Sequence, residues 1–258
     1  MNGIIELQIK EFLLVYLLLI VVAFIMKRCR IDKTKLLIVA SMRMTVQLML
    51  AGFILTYIFK NPHPVLTLTY LVCMTVFAIH RALAGNNEIN RKFKLVISLS
   101  VSGSGALIVL FFVCGIVGVS FFEPQYVIPI AGMVMGNTMT GVALGVKTFR
   151  ENIKEQRLRI NALINAGTAP ENILLPFMKQ ALETALLPTI NSMLGMGIVS
   201  LPGMMTGQIL SGTLPSTAIL YQIAMMISIC TAVCLATFAS LHFGMKTMYN
   251  SKNQIIIP

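Results

Sequence analysis

Charge is scarce in this chain: only 11% of its 258 residues are Asp, Glu, Lys or Arg, and only nine of those are acids. Soluble domains carry about a quarter charged residues, so a water-soluble fold is excluded at the outset. Tryptophan is absent and histidine occurs three times. The five cysteines, Cys29, Cys73, Cys114, Cys230 and Cys234, mostly lie within apolar runs. They form no disulfide framework and read as small packing residues. No alternating polar–apolar decads occur, which excludes a transmembrane β-barrel. No hydrolase triad or zinc motif is present. The nearest approach to a phosphate-binding loop is "GVALGVKT", residues 141–148, where Val146 separates Gly145 from Lys147 at the end of an apolar run. A nucleotide site requires Gly followed directly by Lys and Ser or Thr, so this chain is expected to bind no ATP and no other cofactor of its own.

What is present is apolar length. Hydrophobic residues make up 57% of the chain, in runs that reach the roughly 20 residues needed to cross a hydrocarbon core as helix. The fold expected is an all-α polytopic membrane protein, with backbone groups satisfied inside each helix. Seven spans are expected, at about 12–26 (starting as early as Ile4), 36–59, 64–83, 95–122, 126–146, 186–210 and 215–243. The net charge of +11 invites a nucleic-acid reading, but the bases sit in short loops between apolar runs, which is how topology is encoded. One set of loops holds Lys27, Arg28, Arg30, Lys33 and Lys35, then Arg81, Arg91, Lys92 and Lys94, then Lys147, Arg150, Lys154, Arg157, Arg159 and Lys179, then Lys246 and Lys252. The opposite set holds only Lys10 and Lys60. The positive-inside rule then places the amino terminus outside and the carboxyl terminus in the cytoplasm. Glu6, Lys10 and Glu11 precede the first span and the basic cluster comes after it, the reverse of a cleaved signal peptide.

One long segment, about 147–185, is polar and falls on the cytoplasmic side. Phe149, Ile153, Ile160 and Ile164 form one helical stripe, with Arg150, Lys154 and Arg159 on other faces. Gly167 is placed to end that helix in a left-handed conformation. Thr168 and Glu171 have capping-box spacing for a second helix, with Pro170 in its first turn. Pro176 and Pro188 punctuate the chain beyond that turn, which is expected to return to the membrane at Leu186. An amphipathic segment of this kind suits either the lipid headgroups or a cytoplasmic partner. Around the turn, Asn161-Ala162-Leu163, then Gly167, then "ILLP" ending at Pro176 resemble the cytoplasmic loop of ATP-binding-cassette permeases, E-A-A-x-x-x-G followed by I-x-L-P. Here Asn161 stands for the acid, Leu163 for an alanine, and the spacer is short.

A second pair of stretches is more specific. "GMGIVSLPGMMTGQILSG", residues 195–212, with "AGMVMGNTMTGVALG", residues 131–145, resembles the FetB-type permease family over nearly the whole chain. That family supplies the membrane subunit of a bacterial iron-export ABC transporter, and its plant members are linked to aluminium tolerance. The resemblance implies a single permease domain over 1–258 in the cytoplasmic (inner) membrane. It implies a homodimer coupled to two separate ATPase subunits that carry ATP and Mg, with Asn161, Ala162, Gly167 and Pro176 in the coupling segment. No nucleic-acid partner is expected; membrane lipid is.

Polar residues at membrane depth tend to face a bundle interior or a pathway. In the sixth span, Pro202-Gly203 interrupts an apolar helix, flanked by Asn191, Ser192, Thr206 and Gln208. The break is either a kink or a stretch lining a cavity. Gln47 in the second span and Asn137 in the fifth are further candidates to line the route. Arg43 lies near the cytoplasmic end of its span, from where it can snorkel. The pairs Gly132/Gly136 and Gly141/Gly145 have the spacing that lets membrane helices approach closely. No metal-ligand set is apparent: His63, His80 and His242 are far apart in sequence, and Glu123 stands alone in an external loop. The 18 methionines suit either soft-metal binding or the filling of mobile interfaces. Besides the ABC-permease reading with iron or another cargo, a membrane scaffold and a solitary ion-coupled carrier remain open. The latter ordinarily shows acids deep in its spans, and none of the nine lies there.

Overall fold

A computed structural model describes the backbone of residues 9–85 and 89–249, and side chains from residue 14 onward within those ranges. Ile4, Glu6 and Lys252, and the side chains of Lys10 and Glu11, lie outside the described part. The described residues form nine α-helices and one π-helical stretch, and Met196 pairs with Ser200 in an isolated bridge. The helices are α1 Ile9–Arg28, α2 Thr34–Lys60, α3 Pro64–Leu83, α4 Arg91–Leu110, α5 Pro124–Glu155, α6 Arg157–Asn165, α7 Pro170–Gly195, α8 Gly203–Leu210 and α9 Pro215–Met245. Five of them are long and apolar enough to cross a membrane: α2, α3, α4 with its π extension, α5 and α9. The first expected span lies within the bounds of α1. The third coincides with α3, and the second, fifth and seventh lie inside α2, α5 and α9.

Three expectations need correction. The fourth span does not run to residue 122. After α4 the chain widens into a π-helix, Phe111–Val117, and Gly118 closes it at φ 75°. Phe112 and Val113 are buried there, so packing holds a stretch whose hydrogen-bond pattern is otherwise disfavoured. The polar segment is not a free-standing pair of helices either. α5 continues unbroken to Glu155, so Phe149 and Ile153 belong to the fifth helix and Ile160 to the separate α6. Finally, the second polar helix and the sixth span are one element: α7 runs through Pro176 and Pro188 without stopping. Each proline leaves the carbonyl four residues earlier unbonded. The buried face Ile173, Leu174, Phe177, Met178, Ala181 and Ala185 supplies the packing that keeps the helix continuous. The sixth span then fails as a single helix, because α7 ends at Gly195 and the eight residues of α8 are only about 12 Å long.

Local signals near the turn divide. Gly167 adopts φ +78°, and the Gly167 and Thr168 amides donate to Ile164 and Leu163, the expected left-handed helix end. The capping box is not formed. Ala169 is the N-cap of α7 and makes no side-chain cap bond, with Pro170 in the first turn. The proline's own φ sets the helix start, and Thr168 is already committed to closing the preceding turn.

α4, α5, α7 and α9 form the packed centre, with α3 against α5. Two core clusters mark its ends. One gathers Phe93, Phe149, Ile153, Ile160, Leu174 and Met245; the other gathers Ile58, Phe112, Val113, Val127 and Met225. The first lies at the end where the basic residues collect. There Arg150 donates to the Gly85 carbonyl (3.0 Å), Asn90 to the Thr247 carbonyl (2.9 Å), and Phe93 meets Phe149 edge-on. Gly244 is required at this end, because a Cβ would overlap the Phe93 ring. α1 and α2 stand apart as a hairpin, joined by a hydrogen bond between the Tyr16 and Thr45 hydroxyls. Its tie to the bundle includes the Arg43 guanidinium, 5.6 Å over the Phe77 ring of α3, so Arg43 does more than snorkel.

Candidate translocation cavity

α5 passes between α7 and α9 because it carries glycine where they cross. A Cβ on Gly141 would overlap Val233, and one on Gly145 would press on Thr237 and Ala185. The close-approach reading holds for this pair. It does not hold for Gly132 and Gly136: the first would only touch the tip of Met74, and the second faces open space. Gly105 is a further close approach, against Met135.

Beside that crossing, α5 and α7 diverge and a cavity of about 320 Å³ opens. Asn137 and Thr140 line it from α5, Pro188, Thr189 and Ser192 from α7, and Gln222 from α9. The far wall is the interruption between α7 and α8, contributing Met196, Pro202, Gly203 and Met204. The break is thus a stretch of non-helical chain, Met196 to Pro202, and not a kink. It turns tightly: Gly197 has φ +84° and its amide donates to the Ser200 carbonyl (3.0 Å). Met196 sits against Gln222 of α9, Sδ to Nε2 3.7 Å. Gln222 is seven residues into α9, so the break lies about 10 Å from that helix's non-basic end and not at its middle. Ile198 and Val199, at the tip, are 91% and 84% exposed.

Of the residues expected along the route, the fold brings Asn137, Pro202 and Gly203 together. Thr206 sits in the first turn of α8, its hydroxyl donating back to the Pro202 carbonyl (3.1 Å). Gln208 sits on α8 with its Oε1 buried and unbonded among the described residues. Asn191 is on an exposed face of α7, and Gln47 is exposed on α2 away from the cavity. The sequence reading missed Thr189, Gln222 and Thr140. Gln222 is 6% exposed and its Oε1 has no hydrogen-bond partner among the described residues. It was legible in principle, as the one amide inside the apolar run of α9. The cavity wall also holds Met133 and Met226, so four thioethers and several neutral oxygens face it, with no charged side chain.

The histidines have local duties or none. His63 Nδ1 accepts from the Val65 amide (3.3 Å) and so caps α3; His242 stacks on Phe238. Among the described residues, no three His, Cys, Asp or Glu side chains gather as a metal-binding group. "GVALGVKT" is plain helix inside α5.

At the basic end, the apolar stripe of the polar segment points inward: Phe149, Ile153 and Ile160 are buried in the core, with Ile164 against it. That stripe therefore meets neither lipid nor a partner. The outward face carries Asn161, Ala162 and Gly167, with Leu158 87% exposed between polar neighbours. Pro176 is exposed on α7 a few residues further along.

This geometry accompanies a clear sequence relationship. The family described as "Uncharacterised protein family (UPF0014)" matches residues 9–249. The chain belongs to the UPF0014 family. It is 29% identical to the "Probable iron export permease protein FetB" of Escherichia coli (strain K12), over 96% of this chain and 95% of that protein. It is 31% identical to the "UPF0014 membrane protein YjkA" of Bacillus subtilis (strain 168), over 81% of this chain and 83% of that one. It is also 30% identical to the "Protein ALUMINUM SENSITIVE 3" of Arabidopsis thaliana, over 83% of this chain and 77% of that one. The FetB-type resemblance seen in the sequence is thereby established at the level of the family. No solved structure matches this UPF0014 chain.

Proposed function

We propose that this UPF0014 protein is the membrane-spanning permease subunit of an ABC exporter in the cytoplasmic membrane, working as a homodimer on two ATPase subunits. The observation that carries the reading is the interruption at Met196–Pro202, which forms one wall of a mainly apolar cavity between α5, α7 and α9 that holds several uncharged polar side chains. Broken membrane helices with unpaired backbone are tolerated where they line such a space. The basic end faces the cytoplasm in this reading, and the amino terminus lies outside. The ATPase meets the outward face of α6 and its turn, Asn161, Ala162 and Gly167, with Pro176 beside them. ATP and Mg are held by that partner. The name of the Escherichia coli relative supports iron as the cargo.

A second cargo class is favoured by the cavity itself. Its lining is neutral, and a bare multivalent cation leaving water for uncharged walls loses far more hydration than they return. The four thioethers are soft donors, so a soft monovalent metal, or a metal already chelated, fits the same scaffold. Replacing Pro202-Gly203 by Ala-Ala tests the route. Metal accumulation is measured in cells lacking their own exporter, with the ATPase co-expressed. The expected result is normal membrane insertion with export abolished; export equal to the parent's overturns the assignment. Loading with iron and with monovalent copper in parallel separates the cargo classes.

A further inference from the structure

We infer that α3 and α5 hold one anionic phospholipid at the basic end, with its phosphate among Arg81, Lys147 and Arg150 and an acyl chain along the groove behind them. Its lining overlaps that of the cavity at the α7–α8 break only at Thr140. A cavity of about 530 Å³ opens between the last turn of α3 and the outer part of α5. Its rim is cationic: Arg81 from α3, and Lys147 and Arg150 from α5. Arg150 is steered there by its hydrogen bond to the Gly85 carbonyl, a residue at φ +85° that turns the chain after α3. No carboxylate appears among the described residues that line the cavity. Among the described acids, Glu151 pairs with Lys147 at 3.8 Å while both side chains are half or more exposed. A pair so exposed is worth little and yields readily to a phosphate.

The floor is apolar, formed by Met139, Ala143 and Leu144. Met139 also lines a second space, of about 320 Å³, which continues between α3 and α5 past Phe77, Met135 and Gly136. That space exists because the Gly132/Gly136 pair is not used for helix contact: a Cβ at 136 would meet nothing within 4 Å. From Met139 to Arg150 the helix rises about 16 Å. A cationic rim on an apolar slot therefore lies along one helix face, at the boundary where basic residues collect. Guanidinium and ammonium groups both bind phosphate strongly, and an apolar slot opening onto a membrane is filled by acyl chain. A soluble phosphate ligand would satisfy the rim and leave the slot uncovered, so the lipid is the occupant that uses both.

The test uses the full chain purified in mild detergent and exchanged into mixed micelles of phosphatidylglycerol or phosphatidylcholine. Phosphatidylglycerol should raise the unfolding temperature and survive extensive washing at about one molecule per chain, by extraction and mass spectrometry. Phosphatidylcholine should do neither. The double variant Arg81→Gln, Lys147→Gln should weaken phosphatidylglycerol binding roughly thirty-fold, since two cations beside an anionic headgroup are removed. Arg81→Lys with Lys147→Arg should retain it. Gly136→Leu, which has room to fold, should block the slot and weaken binding with every cation in place. Equal retention of both lipids overturns the inference. So does protection by inorganic phosphate equal to that by phosphatidylglycerol, which would make this a soluble-anion site. Efficient disulfide formation between two Lys147→Cys chains, with no lipid retained, would assign the face to a second copy instead.

Discussion

The second and fifth helices are almost equally apolar, yet none of the most hydrophobic stretch of α2 is buried while half of that of α5 is. What separates them is the size of their side chains. α5 carries Gly132, Gly136, Gly141 and Gly145 along 32 residues, and at 141 and 145 the Val233 and Thr237 side chains of α9 come so close, with α7 in contact beside them, that a Cβ would overlap them. α2 has one glycine, Gly52, with nothing within 4 Å of where a side chain would be. Between helices already surrounded by hydrocarbon, apolarity provides little force for association; close packing of small residues provides it. Hydropathy thus marks what enters the membrane, and volume marks what packs there.

The sharpest way to break this comparison is to exchange the glycines. Gly141→Leu forces a side chain into Val233 and the α7 backbone, where overpacking costs about 1–3 kcal/mol or more. Gly52→Leu should be nearly silent. Thermal unfolding of the two purified variants decides: similar melting temperatures would mean that α5 does not owe its burial to its glycines.

A second contrast lies within the polar segment, whose inner stripe is core and whose outer face is open. Ala162→Trp adds bulk outside and should leave stability unchanged while lowering partner-stimulated ATPase activity about tenfold, the equivalent of about 1.4 kcal/mol of contact. Ile160→Ala, on the inner face, should do the reverse, losing about 2–4 kcal/mol of stability. If Ala162→Trp keeps full stimulated activity, the outer face is not where the ATPase docks.

Gly167→Val probes the turn between those faces. Its φ of +78° is costly for any residue with a Cβ, and a loss of about 1–2 kcal/mol is expected. The change should be visible as faster protease cleavage between α6 and α7; unaltered cleavage would show that the turn tolerates another backbone conformation.

The smallest effect concerns the peripheral hairpin. Removing the Arg43–Phe77 contact by Phe77→Leu should cost about 0.5–1 kcal/mol. It should loosen α2 from α3 without disturbing the centre, so that hydrogen exchange of the α2 amides quickens while the unfolding temperature barely moves. A large drop in unfolding temperature would mean that the hairpin is part of the core after all.

Sequence alone determined that this chain is a bundle of apolar helices with one basic end. Both follow from composition and from the placement of Lys and Arg, which act on each segment separately. It also determined the left-handed turn at Gly167 and the family resemblance in residues 131–145 and 195–212. Only the tertiary structure decided the rest. Pro176 and Pro188 stay inside α7 because one face of that helix is buried, a fact with no local signature. Gln222 became part of the cavity wall, and Gln47, an equally polar residue in an equally apolar run, did not. The difference is which neighbour each helix turned toward. The two glycine pairs of α5 have the same spacing, yet one clamps α7 and α9 while the other leaves a groove against α3. Spacing fixes the face on which small residues fall, and the residues that arrive from other helices fix whether that face closes or stays open.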